Sequence, residues 1–296
     1  MGHDTLTSCT LCPHKCHATR TPETGNGFCR MGTDAVVSRI APHHWEEPCI
    51  SGTRGTGAVF FAGCTLRCAH CQNYRISHEG YGQRVSPAAL SDRMRALVDQ
   101  GVHSISLITG THFVPTILAA LSLWQPPVTV VWNSSGYELP ETIQALAGHV
   151  QVFLPDIKHV SARLSGLLAG APDYFVYVAQ AVKAMCEQAG PPEFDADGIL
   201  TSGTLVRHLV LPGCTTDSIR VLDFIADELP PGTHVSLMRQ YTPQPTCTVK
   251  GMDRPVTDRE YQRVATHMAA LGLPGYVQGA DAAQTRYTPA FDLTGI

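Results

Sequence analysis

Eight of the chain's eleven cysteines lie within its first 71 residues, at positions 9, 12, 16, 29, 49, 64, 68 and 71. Thiols crowded this way are either paired into a disulfide scaffold or gathered around metal. The opening residues Met1-Gly-His-Asp-Thr-Leu-Thr-Ser lack the charged and then apolar segments of a secretory leader, and no apolar run of membrane-spanning length occurs. The expectation is a cytoplasmic protein that spans no membrane, whose clustered cysteines ligate metal in a reducing compartment. With 21 Lys+Arg against 25 Asp+Glu and no block of like charge, nothing marks a surface for nucleic acid or anionic lipid.

Residues 1–55 are rich in Cys, His, Pro and Gly and carry little periodicity that could support a core, so they read as a small metal-pinned N-terminal segment. From 56 to 296 short apolar runs alternate with amphipathic stretches of helical length, the pattern of repeated β/α units on a parallel sheet. Six strands are expected: 57–62, 104–108, 128–132, 150–154, 205–211 and 235–238. Ser86-Pro87 opens a helix that closes before Gly101, another runs over 172–188, and a third over 257–271. The Gly/Pro/Asp-rich stretch 190–203 reads as a loop. Met94, Leu97, Ile117, Leu118, Phe224 and Ile225 fall at core positions of the helical periods.

Whether β/α units close into a barrel or spread as an open sheet, chemistry gathers at the C-terminal ends of the strands. Those ends here are Gly63-Cys64, Thr109 to His112, Asn133 to Gly136, Pro155 to Lys158, Pro212-Gly213 and Gln240-Tyr241. The strongest signal among them is Cys64-x3-Cys68-x2-Cys71, directly after the first strand. Three thiolates can hold a cubane cluster of four irons and leave one iron open, and an open position is what separates a catalytic from a structural metal site. A zinc knuckle that borrows a fourth ligand from His70 or elsewhere is the alternative reading.

A C-x3-C-x2-C loop after the first strand of a β/α chain resembles the radical S-adenosylmethionine (radical SAM) superfamily. The run Phe60 to Tyr74 is similar to the branch of the pyruvate formate-lyase activating enzymes, and in particular to its activating-enzyme-like relatives. The resemblance extends over Thr109–Pro115, Trp132–Tyr137, Leu154–Lys158, Arg207–Gly213 and Met238–Tyr241, and includes Cys9 to Cys29. It implies a partial (β/α)6 barrel, a 4Fe-4S cluster on Cys64, Cys68 and Cys71, and S-adenosylmethionine as cofactor. His70 would lie near the adenine, Asn133, Ser134 and Gly136 would contact the methionine portion and ribose, Arg207 would lie near the carboxylate, and Asp156 with Lys158 would match an Asp-x-Lys pair. Thr109 and Gly110 stand where a Gly-Gly-Glu-Pro segment usually receives the amino group, and Tyr241 where the activating enzymes carry a His near the cofactor. Asn133 replaces an Asp that binds a monovalent cation in those relatives, so that cation is not carried over.

The N-terminal Cys9-x2-Cys12-x3-Cys16-x12-Cys29 supplies four thiolates, enough to close a site around zinc or a second 4Fe-4S cluster. His14 or His17 could replace one of them. Cys49, Cys186, Cys214 and Cys247 are isolated and read as small buried apolar residues, with Cys214 of interest because it follows a strand end. For His112 a cofactor contact and a bond to a loop carbonyl are equally open. The resemblance implies an enzyme that takes electrons from a reduced flavodoxin or ferredoxin and installs a radical on a glycyl radical enzyme. Radical modification of a peptide or small molecule is the alternative, and a metal-binding scaffold without turnover is the reading from another class.

Overall fold

The computed structural model describes residues 6–284 and 288–296, so the first five residues of the stretch read above as lacking a leader lie outside it. Six parallel strands follow one another in sheet order: β2 (Thr56–Phe61), β4 (Ser104–Ile108), β5 (Thr129–Ser134), β6 (Val152–Pro155), β8 (Leu200–Leu209) and β9 (His234–Met238). These are the six strands expected from the sequence. Their sequential order, each joined to the next by a helical crossover, is the connectivity of a partial (β/α)6 barrel.

Helix α3 (Pro87–Asp99) starts as the sequence dictates, with the Ser86 hydroxyl accepting from the Ala89 N–H and Pro87 in the first turn. Helix α9 (Asp258–Ala270) has a complete capping box between Thr257 and Glu260. Between them lie α4 (Val114–Leu123), α5 (Pro140–Gln144), α6 (Ala162–Ala169), α7 (Tyr174–Ala189) and α8 (Thr215–Glu228); the short α1 (Pro48–Ser51) and α2 (Tyr74–Ser77) flank β2.

Four strands were not foreseen. Strand β1 (Ala35–His43) pairs antiparallel with β2, and β3 (Gln83–Val85) with β1, so the sheet already begins inside the segment read as 1–55. A short β10 (Gly275–Val277) adds a parallel strand beyond β9. The stretch 190–203 is not simply a loop, because β7 (Glu193–Phe194) folds back as a hairpin onto the start of β8.

Strand alternation divides the sheet residues into two sets. One set packs outward against the helices: Val59, Phe61, Leu107, Val130 and Trp132 join Met94, Leu97 and Ile117 in one core, and Val206, Val235 and Leu237 join Val178, Val221 and Ile225 in another. Leu118 and Phe224 are only partly buried against these cores. The other set faces inward. Val131, Leu154 and Leu205 pack around Cys49 and Ile50 of α1, which plugs the barrel where its strands begin. Two residues further along the same faces come Asn133, Asp156 and Arg207, and this polar layer is the floor of the site.

Candidate active site

One cavity joins the cysteine loop after β2 to the ends of the other strands. It is lined by Cys64, Cys68, His70, Cys71, Thr109, Asn133, Ser134, Asp156, Lys158, Arg207, Met238 and Tyr241, and by His43 at the end of β1 and Trp45 and Glu46 of the β1–α1 loop. Most of the expected site residues are therefore brought together. Gly110 and Gly136 stand behind the wall. An added Cβ on Gly110 would meet the Trp132 ring at 2.9 Å, and one on Gly136, whose φ is +70°, would meet the Asp156 carbonyl oxygen at 2.6 Å. Gly110 leaves room for packed side chains, and Gly136 for a backbone carbonyl in a left-handed turn.

The cysteine loop is prepared for thiolates. The backbone N–H groups of Leu66 and Arg67 donate to Cys64 Sγ at 3.3 and 3.4 Å, and the Ser77 hydroxyl donates to Cys71 Sγ at 3.4 Å. Such donors favour a charged sulfur and tune a cluster bound to it. Burial pushes the Cys68 thiol up to about 12, with Lys158 pulling the other way and the neighbouring thiols adding to the rise. Buried, mutually repelling sulfurs of this kind call for a cation to hold their charge, and the donor set fits three-thiolate ligation of a 4Fe-4S cluster. Among the described residues no three His, Cys, Asp or Glu side chains converge on a single point as one metal ion would require.

The polar layer is ionic throughout. Lys158 Nζ lies 2.8 Å from Asp156 Oδ2, and although burial opposes its charge, Asp156 and the Cys68 thiol hold it above the ordinary lysine range. Arg207 meets Glu47 at 3.3 Å, Glu46 at 3.1 Å and Asp156 at 3.9 Å. These three carboxylates outweigh the cost of burying its guanidinium and keep it firmly charged. Glu46 also accepts a hydrogen bond from Asn133 Nδ2 at 3.2 Å.

Behind the rim, Glu138 is fully buried and accepts from Ser134 Oγ (2.6 Å), Thr111 Oγ1 (2.8 Å) and Trp132 Nε1 (2.9 Å). The Ser134 hydroxyl is thus engaged within the protein. His70 is buried, and burial holds its ring neutral, down to about 3, with the Nδ1 atom meeting no partner among the described residues. Its ring is 6.1 Å from that of Tyr241, whose hydroxyl donates to the Met252 carbonyl at 2.6 Å. His112 bonds the Ala62 carbonyl at 2.8 Å and does not line the cavity. Cys214 packs with Leu168, Leu211, Tyr241 and Met252 outside the cavity lining. All eleven cysteines are free thiols.

The N-terminal segment is pressed against the cysteine loop. His14 Nε2 donates to the Thr65 carbonyl at 2.7 Å, its ring stacks on Phe28 at 3.9 Å, and Arg67 lies over Phe28. His17 Nδ1 is bonded to the Ser8 hydroxyl at 2.8 Å. Each of these bonds uses one ring nitrogen and leaves the other. Cys12 and Cys29 are raised chiefly by burial, and each feels the charges of Cys9 and Cys16, so the four thiols are neighbours.

Sequence reasoning missed Glu46, Glu47 and Glu138. An acidic doublet before Pro48, in a chain with only 16% charged residues, was the available signal for the first two. Glu138 had none, because its role depends on three donors brought in by folding.

A parallel barrel with three thiols at the mouth of a polar interior defines a class, and comparison with known proteins gives it its name. Residues 58–225 match the radical SAM superfamily, and the chain belongs to it. The superfamily implies S-adenosylmethionine and the 4Fe-4S cluster for which the cysteine loop is suited. The chain is 27% identical over 248 residues to the uncharacterised protein MJ0674 of Methanocaldococcus jannaschii, covering 80% of this chain and 67% of that one. Among solved structures it is similar to a radical SAM methyltransferase from Sphaerobacter thermophilus (TM-score 0.52, 13% identity, covering 76% of this chain and 68% of that one). It is also similar to Streptococcus suis SuiB bound to its precursor peptide SuiA (TM-score 0.51, 14% identity, covering 73% of this chain), of which it spans about half, 47%. These likenesses show the fold. Among the described residues no helix is long and apolar enough to cross a membrane.

Proposed function

We propose that this chain is a radical SAM enzyme of the activating-enzyme type, which abstracts hydrogen from a glycine of a partner protein. The observation that carries the reading is the joining of Cys64, Cys68 and Cys71 to Asn133, Asp156, Lys158 and Arg207 in one cavity. When bound, the cluster supplies an electron that cleaves S-adenosylmethionine to methionine and a 5'-deoxyadenosyl radical, which takes a hydrogen atom from the substrate. The protein's share is to bind, orient and shield. Cys64, Cys68 and Cys71 hold the cluster, and the N–H and O–H donors on Cys64 and Cys71 stabilise its thiolates. The Asp156–Lys158 pair presents fixed charge to the cofactor, and the neutral His70 ring offers a flat apolar surface with one unpaired nitrogen for a base. Phe60, Ile108 and Leu209 line the same cavity and limit water around the reacting atoms.

The electron comes from a reduced flavodoxin or ferredoxin, and the enzyme works in the cytoplasm, where thiols stay reduced. Cys9, Cys12, Cys16 and Cys29 hold a second metal centre, zinc or 4Fe-4S, and ligation there draws the thiolates together and pins the N-terminal segment against the cysteine loop. The activating-enzyme reading is supported by the resemblance of Phe60 to Tyr74 to that branch. Its test is electron paramagnetic resonance of the reduced, cluster-loaded enzyme mixed anaerobically with S-adenosylmethionine and a glycyl radical protein encoded beside it. A doublet from a glycyl radical is expected. Cofactor cleavage with a modified peptide or small molecule and no glycyl radical would replace this reading by the alternative one.

A further inference from the structure

The β1–α1 loop lies outside the part of the chain that matches the superfamily, yet it delivers a charged side chain into the barrel. β1 runs against β2, with His43 opposite Thr56 where β2 begins, so the loop enters from the end opposite the cysteine loop. Cys49 and Ile50 anchor it in the apolar plug described above, and Glu46 and Glu47 rise into the polar layer.

The charges in that layer do not cancel. Asp156 is taken by Lys158 at 2.8 Å, and Arg207 is shared between Glu46 at 3.1 Å and Glu47 at 3.3 Å. Three carboxylates thus face two cations, and of the two that share Arg207 it is Glu46 that lines the cavity. Its side chain is 7% exposed, held between Asn133 and Arg207. Nearby His43 adds no compensating charge, because burial and then Arg207 keep its ring neutral, down to about 4. A buried excess carboxylate is costly unless a cation meets it.

We propose that Glu46 is a cofactor-binding residue that reads the positive charge of S-adenosylmethionine, favouring the sulfonium over the neutral thioether S-adenosylhomocysteine. The proposal rests on the radical SAM reading of the cavity. It also revises the role of Arg207, whose charge serves the chain's own Glu46 and Glu47 before any ligand's carboxylate.

The test is anaerobic equilibrium dialysis of both ligands with the cluster-loaded protein and its Glu46→Gln and Glu46→Asp variants. Asn133 and Arg207 donate to different oxygens of Glu46, so glutamine keeps the shape and one of the two acceptors, and circular dichroism checks that the fold is kept. Glu46→Gln is expected to lose about tenfold in affinity for S-adenosylmethionine and less than about threefold for S-adenosylhomocysteine, with Glu46→Asp keeping most of the preference. A Glu46→Gln protein with the wild-type preference, or with equal losses for both ligands, overturns the proposal alone. A wild-type protein that binds neither ligand overturns the radical SAM reading and this proposal with it.

Discussion

Glu138 shows how a single buried side chain can organise a rim. Three neutral donors converge on it, and no cation lies among them, so burial raises its pKa above the usual carboxylate range while Ser134, Trp132 and Thr111 work against the rise. Glu138→Ala strands these buried donors and should cost about 3 kcal/mol or more in denaturant unfolding. A carboxyl raised in the folded state binds more protons folded than unfolded, so its contribution is present in acid and is lost as pH rises through the folded pKa. Stability measured relative to Glu138→Gln should therefore fall as pH rises from the ordinary carboxylate range toward neutrality. Gly136→Ala should destabilise the fold by about 1–3 kcal/mol, since the methyl is driven onto the Asp156 carbonyl in a left-handed conformation. It should also weaken cofactor binding by shifting Asp156, a loss that dialysis would detect.

Among the elements, the loop between β1 and α1 decides how the site responds to pH. Burial pushes Glu46 up to about 7; Arg207 and Asn133 lower it, while Glu47 and Asp156 raise it. Affinity for S-adenosylmethionine should rise from about pH 6 to about pH 8 in the wild type as this carboxylate ionises, and Glu46→Gln should flatten the rise. A slope unchanged by the substitution would assign the titration to another group. The N-terminal segment makes a separate prediction. Cys12→Ala with Cys29→Ala should remove zinc, or about four irons, from the purified protein as read by elemental analysis, while leaving the cluster on Cys64, Cys68 and Cys71.

These two elements also show what could be read from sequence. The β/α alternation located the six barrel strands because each is a short apolar run between amphipathic stretches, though not the short parallel β10, and the spacing of Cys64, Cys68 and Cys71 marked the chemistry. Strand β1 was hidden by the Cys- and His-rich company it keeps, and its pairing with β2 is a tertiary fact. Glu46 acquires its role only when that hairpin carries it beneath Asn133 and Arg207. His112 illustrates the converse, a residue placed at a strand end whose ring turns inward to a backbone carbonyl.

At the scale of the molecule, a barrel plugged at one end by α1 and flanked at the other by a cysteine loop can hold a cluster and a charged cofactor away from water. The central claim is that these parts form one reductive-cleavage site. The most direct measurement is the yield of 5'-deoxyadenosine from reduced, iron- and sulfide-reconstituted protein given S-adenosylmethionine under anaerobic conditions, with Cys68→Ala beside it. The account predicts 5'-deoxyadenosine from the wild type and none above background from the variant. A wild-type protein with its full cluster that binds the cofactor and releases no 5'-deoxyadenosine, alone or with a glycyl radical protein added, would contradict it.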